Sequence, residues 1–591
     1  MELDTWQNLP AMFFEQADAL GDRPFLYRKV DGAYRSITWR ETADRVCRLA
    51  DGLKARGIGP GDRVGLVSEN RPEWLIADMA IMSIGAITVP AYTTNTVADH
   101  RHVFADSGIS ALLVSTDRLA QTAAAAAAET ESVKFLATVE DAVIPADGNF
   151  DVTTVDALMA DGDASLPDHV ATIGRDELAC IIYTSGTGGA PKGVMLHHAA
   201  LLHNCVGACD ALTDLGIGND RFLSFLPLSH SYEHLAGQFF PIAVGAEIYY
   251  AESVDTLVNN LGEVQPTIMT AVPRLYETMH QRIMRGVIKQ GGLKAKLFEA
   301  TLRLGEKRYR QGRLSPLEAV QDRVLDKLVR DKVRARFGGR LKALVSGGAP
   351  LNPDIGMFFT ALGLRILQGY GQTESAPLIS VNRPRSPRIE TVGPPVVNTE
   401  VKIADDGEIL CRGDLVMKGY WNNEDATREA VRDGWLHTGD IGVIDEDGHL
   451  RITDRKKDII VNSGGDNIAP QRVEGIIAVE PEIGQAMVYG DKRPHLVAVL
   501  VPDQTWFEEW SRENEKTGDL GALRDDDDLR RALSAAMERI NTNLSNIEKV
   551  RRFIVADEPF SIENGEMTPT MKVRRHKVTA RYGDRLEALY R

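Results

Sequence analysis

Cysteine is scarce in this chain. Five occur in 591 residues, at positions 47, 180, 205, 209 and 411, with no Cys-x-x-Cys pair and no clustered His/Cys set. That argues against a disulfide framework or a zinc site and fits a reducing cytosol. Cys205 and Cys209 lie four apart, the spacing of one helical face. Long apolar runs are missing too: no stretch of about 18 apolar residues occurs, so no membrane-spanning helix is expected. The opening MELDTWQNLP has no basic-then-apolar signal pattern, so the chain is expected in the cytoplasm, with any membrane contact peripheral. Positive charge is in deficit, the net charge being −16, which argues against general nucleic-acid binding. What remains is ordinary for a globular protein, 43% hydrophobic and 26% charged. The length exceeds what one compact core holds, so two or more domains are expected.

Along the chain, residues 36–115 read as α/β. Thr38 precedes an amphipathic stretch to about Arg56, RVGLVS (63–68) is a short strand, Pro72 opens a helix through Ile84, and a strand follows at 87–90. Strand, helix, strand at this spacing implies parallel pairs with crossovers. The pattern repeats near 111–115, 135–139, 268–272 and 341–346. The alanine run 123–128 reads as a surface helix. After Pro384 the texture changes to clustered prolines and short alternating segments, a small β-rich subdomain with a hairpin turn at DEDGH (445–449). Further βαβ-like material starts near Asp458.

The most telling segment is YTSGTGGAPKG (183–193), four glycines, three hydroxyl side chains and Lys192 directly after an apolar strand. Such a loop can wrap backbone N–H groups, hydroxyls and a point charge around a polyphosphate. It departs from the Walker A pattern, because Pro191 stands where a glycine belongs and Gly193 where Ser or Thr belongs. It is followed in order by LVSGGAP (344–350), GYGQTES (369–375), HTGDIG (437–442), DRKKD (454–458) and TPTMK (568–572).

Together these motifs resemble the adenylate-forming superfamily of acyl-CoA synthetases, luciferases and nonribosomal adenylation domains, over essentially the whole chain. The resemblance implies an α/β fold: a large N-terminal part, 1–456, of parallel α/β sheet subdomains plus a β-rich subdomain, and a small mobile α+β C-terminal domain, 457–591. It implies two half-reactions. A carboxylate attacks the α-phosphate of ATP, releasing pyrophosphate, and a thiol then displaces AMP from the acyl carbon.

On that resemblance Thr184, Ser185, Gly186, Thr187, Gly188 and Lys192 would hold the β- and γ-phosphates, Gly188 standing where the family usually has a second threonine. Glu374 would hold Mg²⁺, its hard carboxylate suiting that ion. Thr373 would donate to the α-phosphate, and Tyr370, between Gly369 and Gly371, would face adenine. Gly347, Gly348 and Ala349 lack the bulk that would keep the ring off the backbone. Asp440 would accept the ribose hydroxyls with Arg455 as a second contact. Lys457 matches the pivot of the inter-domain hinge, and Lys572 the lysine that the small domain inserts for adenylation. Gly464 and Gly465 would let the pantetheine arm of CoA approach. His230 would line the acyl and CoA tunnels as a positioning residue, and the acyl pocket would draw on segments near 204–211, 238–242 and 272–276.

One stretch stands apart. Residues 281–340 hold 17 Lys and Arg against 6 Asp and Glu, leaving the rest of the chain at −27. This basic insertion reads as two or three helices with breaks at Gly291–Gly292 and 312–316, resembling the long-chain and bubblegum-type fatty acyl-CoA synthetases. It is either a solvated face or a surface that meets anionic lipid, fatty acid or CoA. The expected activity is an AMP-forming ligase of a long-chain fatty acid and CoA. The alternatives are an acyl-AMP ligase serving a separate carrier protein, a CoA ligase for a bulky or aromatic acid, and a regulatory protein with a decayed site. No fused carrier domain is expected.

Overall fold

The structure, a computed structural model, describes residues 5–144, 148–160, 162–184, 190–253, 256–568 and 571–591. Two eight-stranded sheets form the body of the large part. One runs Ser380–Val381, Ile366–Tyr370, Ala343–Ser346, Ile268–Ala271, Arg221–Ser224, Glu247–Tyr250, Pro24–Val30, Ala33–Thr38 from edge to edge. The other runs Gly419–Tyr420, Lys192–His197, Leu178–Thr184, Ile87–Pro90, Arg63–Val67, Ala111–Val114, Phe135–Thr138, Asp151–Thr154. The interior pairs are parallel, except that Leu178–Thr184 and Lys192–His197 run antiparallel. The helix Pro72–Ser83 touches strands of both sheets and is buried at every position but Glu73, which is why PEWLIADMAIMS is apolar all round. Trp39–Ala55 is amphipathic as expected, and Thr38 closes a capping box with Glu41 at its start.

The alanine run proves to be a packing surface. In the helix Asp117–Ala128, Ala123, Ala124, Ala126 and Ala127 are buried, the helix packing chiefly on the helix Val97–Ser107 and also touching the strands Ala111–Val114 and Phe135–Thr138, and Ala125 and Ala128 face water. The opening hairpin Pro24–Val30/Ala33–Thr38 escaped the sequence reading, although Asp31-Gly32 is a two-residue turn signal.

After residue 395 a five-stranded antiparallel sheet forms from Glu400–Ile403, Glu408–Arg412, Val431–Arg432, Trp435–Ile444 and Leu450–Arg455. From 457 onward the chain builds on its own three-stranded sheet, Ile483–Tyr489, Leu496–Pro502 and Val550–Val555. The central strand is buried along its whole length, with Pro470–Ile477 and Asp527–Thr542 packed on one face and Arg575–Ala588 on the other. The 281–340 region is helical, with Pro273–Gln290, Gly292–Gln311 and Pro316–Leu325 broken at Gly291 and Gly312, and a π-turn, Asp326–Arg330, leads into Asp331–Arg336. Among the described residues no helix is long and apolar enough to cross a membrane, and the five cysteines are free.

Candidate active site

The strands Ala343–Ser346 and Ile366–Tyr370 end side by side, delivering Gly347–Ala349 and Gly371–Glu374 to one rim. That is the crevice at the carboxyl ends of parallel strands where α/β folds place ligands. A cavity of about 3070 Å³ opens there and extends to the part beyond 457. Its lining includes Thr184, Lys192, His230, Gly347, Gly348, Ala349, Gly369, Tyr370, Gly371, Thr373, Glu374, Asp440, Arg455, Lys457 and Lys572. Residues from six separate sequence motifs thus meet in one cleft. Ser185, Gly186, Thr187 and Gly188 lie outside the described residues.

The glycine-rich loop joins two antiparallel strands, with Thr184 and Lys192 facing each other at its base. The base is pinned from outside by His102 Nε2 to Pro191 O at 2.8 Å and by the Tyr183 hydroxyl donating to Asp106 at 2.5 Å. Beyond Lys192 the short strand Gly419–Tyr420 pairs with Val194 and Met195. That pairing sets the Tyr420 ring under Lys192 Nζ, 4.9 Å from its centroid, and its hydroxyl donates to Glu374 Oε1 at 2.8 Å. Tyr420 therefore ties the lysine to the carboxylate, and burial next to Glu374 pushes its phenol pKa well up. The sequence reading missed it. Among the described residues Glu374 Oε2 has no hydrogen-bond partner, and Thr373 Oγ1 lies 3.0 Å from Ser231 Oγ.

Asp440 and Arg455 are cross-strand partners, and their side chains meet at 3.3 Å. The other carboxylate oxygen of Asp440 accepts from the Tyr370 hydroxyl at 2.8 Å. Burial raises the Asp440 pKa, and Arg455, Tyr370 and Lys572 oppose that rise. Lys572 is held by its backbone N–H to Thr568 Oγ1, 3.0 Å, and by the Thr568 N–H to its carbonyl, 2.8 Å. Its side chain is exposed into the cleft, and desolvation by the surrounding cleft walls together with Arg455 lowers its pKa to about 8. His230 Nδ1 accepts the Tyr232 N–H at 3.2 Å, which places the ring proton on Nε2. Burial, with Lys572 adding, lowers its pKa to about 3, so a neutral donor faces the cleft.

Two glycines have local explanations. A Cβ on Gly347 would meet the Tyr232 ring at 2.9 Å, and one on Gly371 would meet Pro377 O at 1.8 Å, so both are demanded by packing before any nucleotide arrives. Gly464 and Gly465 sit on an exposed turn built by Asn462 Oδ1, outside the cleft lining. Lys457 is exposed at the rim, while its neighbour Lys456 pairs with Asp406 at 2.6 Å and Glu408 at 3.1 Å. Deeper, the cavity turns apolar between Ala208, Leu212, Phe240, Ile268, Val345 and Leu378. Arg274 at its edge is matched by Glu277 at 3.1 Å.

Fold and cleft together define the class, a nucleotide-binding α/β enzyme closed by a smaller C-terminal part. Residues 13–421 match the AMP-binding enzyme model and residues 457–591 the AMP-binding enzyme C-terminal domain. The chain belongs to the AMP-binding enzyme family. It is 36% identical to the long-chain-fatty-acid–CoA ligase FadD15 of Mycobacterium tuberculosis, covering 99% of this chain and 97% of that protein. It is 32% identical to the peroxisomal long chain acyl-CoA synthetase 6 of Arabidopsis thaliana, over 95% of this chain and 83% of that protein. Among solved structures, the A-PCP didomain of carboxylic acid reductase from Segniliparus rugosus in complex with AMP shares the fold, with a TM-score of 0.78 and 23% identity, covering 100% of this chain and 83% of that one.

Proposed function

We propose that the chain is an ATP-dependent long-chain fatty acyl-CoA ligase. The observation that carries this reading is a single cleft whose polar rim, with Lys192, Glu374, Asp440 and Lys572, runs into an uncharged apolar branch. The relatives named for long-chain acyl-CoA synthesis over nearly the whole chain support it. The apolar branch takes the alkyl tail and leaves its carboxylate at the rim. Asp440 keeps lone pairs for the ribose hydroxyls while Tyr370 and Arg455 fix its orientation. The first half-reaction brings two anions together, so it depends on positioned positive charge. Lys572 and Lys192 supply that charge as the carboxylate oxygen bonds to the α-phosphorus and pyrophosphate leaves. His230 offers its Nε2–H to the acyl oxygen as the CoA thiol displaces AMP.

Glu374 would hold Mg²⁺ through its free oxygen. Among the described residues no group of three or more His, Cys, Asp or Glu is placed to hold a metal ion, and phosphate and water would supply the ion's other ligands. Bound there, it would neutralise charge on the departing pyrophosphate. Residues 457–591 are read as the part that turns about Lys457 between half-reactions. Gly464 and Gly465, now outside the cleft, would face the pantetheine arm after that turn.

The test is a product assay with ATP, Mg²⁺ and fatty acids of increasing length, with and without CoA, following AMP, acyl-AMP and acyl-CoA by mass spectrometry. Acyl-CoA formed only with CoA, best with long chains, is expected. Acyl-AMP accumulating with no thioester would replace this reading with an acyl-AMP ligase serving a carrier protein.

A further inference from the structure

The helix Pro316–Leu325 is inside out. Its inward side is polar: Glu318 meets Lys307 at 2.6 Å, and Asp322 pairs with Arg330 at 2.8 Å and Arg308 at 3.4 Å. Leu325 is the helix's one buried aliphatic side chain. Its outward side is apolar. Leu317, Val320 and Val324, continued by Leu328 in the π-turn, are 81%, 60%, 52% and 46% exposed. Steps of three, four and four residues align them in one stripe. A surface helix ordinarily turns such a stripe to the core.

The ion pairs hold this one facing water. The Ser315/Glu318 capping box, with Pro316 at the first helical position, fixes where the helix begins. The buried Arg330 guanidinium adds hydrogen bonds to Ala361 O, 2.7 Å, and Thr301 O, 3.4 Å, anchoring its far end.

Around the stripe Arg313, Arg323, Lys327 and Lys332 are exposed, and among the described residues none of the four is in an ion pair. Apolar side chains ringed by unpaired cations form a two-part surface. The apolar part matches acyl chains, and the cations match the phosphates above them. A second copy of the chain matches poorly, because a two-fold pairing of the stripes would set the same unpaired cations against each other. We propose that this stripe docks the protein onto the surface of an anionic lipid bilayer, with Leu317, Val320, Val324 and Leu328 entering the acyl boundary. The docking stands on this surface alone. Its use, collecting a membrane-dissolved fatty acid for the cleft, rests on the ligase reading.

The experiment is vesicle co-sedimentation of the full chain with phosphatidylcholine vesicles, with and without phosphatidylglycerol. It compares the parent, Val320→Asp/Val324→Asp and Arg323→Gln/Lys327→Gln, and follows the oligomeric state of each by sedimentation velocity. Binding to the anionic vesicles alone, weakening as salt rises, is expected. The apolar variant should bind at least about tenfold less, and the charge variant roughly fivefold less for each cation removed. All four substitutions are at exposed positions, and thermal unfolding unchanged from the parent confirms intact folding. No binding by the parent, or binding undiminished in both variants, overturns the proposal. So does a parent dimer that Val320→Asp/Val324→Asp dissolves, which makes the stripe an interface between copies. Sedimentation needs no turnover, so a failed ligase reading leaves this result readable.

Discussion

Lys572 shows how one side chain's surroundings set a pH dependence. Its pKa of about 8 in the unliganded cleft comes first from desolvation by the cleft walls and then from Arg455, with Asp440 and Asp458 opposing. In the proposed role Lys572 acts as the ammonium, so kcat/KM, which reports the free enzyme, should fall as pH rises through about 8. Lys572→Arg, which stays charged at any such pH, should retain a residual rate without that fall. Lys572→Ala should lose adenylation by roughly 10²–10³-fold and keep thioester formation from supplied acyl-AMP. Equal loss in both half-reactions, measured by pyrophosphate release and acyl-CoA formation, would remove the role assigned to this lysine.

Glu233 is wholly buried, accepts from Ser224 at 2.7 Å and Thr270 at 2.8 Å, and burial lifts its pKa to about 7. The folded state holds this proton more tightly than the unfolded one between pH 4.5 and 7. Glu233 therefore contributes most below that window, and its contribution falls as pH rises through it, by about 3 kcal/mol in all. Glu233→Gln should abolish this slope, so the difference in denaturation midpoint between variant and parent should shift in the variant's favour from pH 5 to pH 8.

Among elements, the hairpin at 178–197 carries the site. A Cβ on Gly193 would meet Ile181 Cγ2 at 2.8 Å, Tyr183 Cζ at 3.0 Å and Trp421 Cβ at 3.2 Å. Gly193→Ala should overpack that layer at a cost of about 1–3 kcal/mol and displace Lys192 from the Tyr420 ring, which a lowered melting temperature and a raised KM for ATP would report. Tyr420→Phe keeps the ring under Lys192 but frees Glu374, so it should raise the Mg²⁺ concentration needed for half-maximal rate while thermal stability changes little. These elements mark what the sequence makes legible. A glycine- and hydroxyl-rich loop announces itself by composition, and strands such as Ile87–Pro90 by apolar runs between breaks. Tyr420 does not, because its role arises from a two-residue strand 220-odd positions away from the loop it covers, a pairing that no local pattern encodes. The alanine run misled for the opposite reason: high helix propensity says nothing about which face is buried.

At the scale of the whole molecule, among the described residues the two parts meet on the helix side of the cleft through a few polar contacts and the packing of Val479. Arg285 pairs with Asp503, Asn352 Nδ2 donates to Gly475 O at 2.8 Å, and Gln281 Nε2 reaches Ala478 O at 3.5 Å. The motif lysine at 572 is presented to the cleft in this arrangement, and Gly464 and Gly465 are turned away from it. On the proposed reading, in which Lys572 serves adenylation and the part beyond 457 turns between half-reactions, these contacts should favour the adenylating arrangement only modestly. Asp503 also caps the helix Gln504–Glu513 through the Trp506 N–H at 3.0 Å, so the pair is better broken from the arginine side. Arg285→Glu removes a partly buried ion pair and sets two like charges together, a change of about 1 kcal/mol or somewhat more. Adenylation should slow roughly fivefold while thioester formation from supplied acyl-AMP holds or rises, because the population moves toward the turned state. Single-turnover measurement of each half-reaction separates the two. Were both to slow together, the contact would serve the folding of the helix it touches and would not bias the turn.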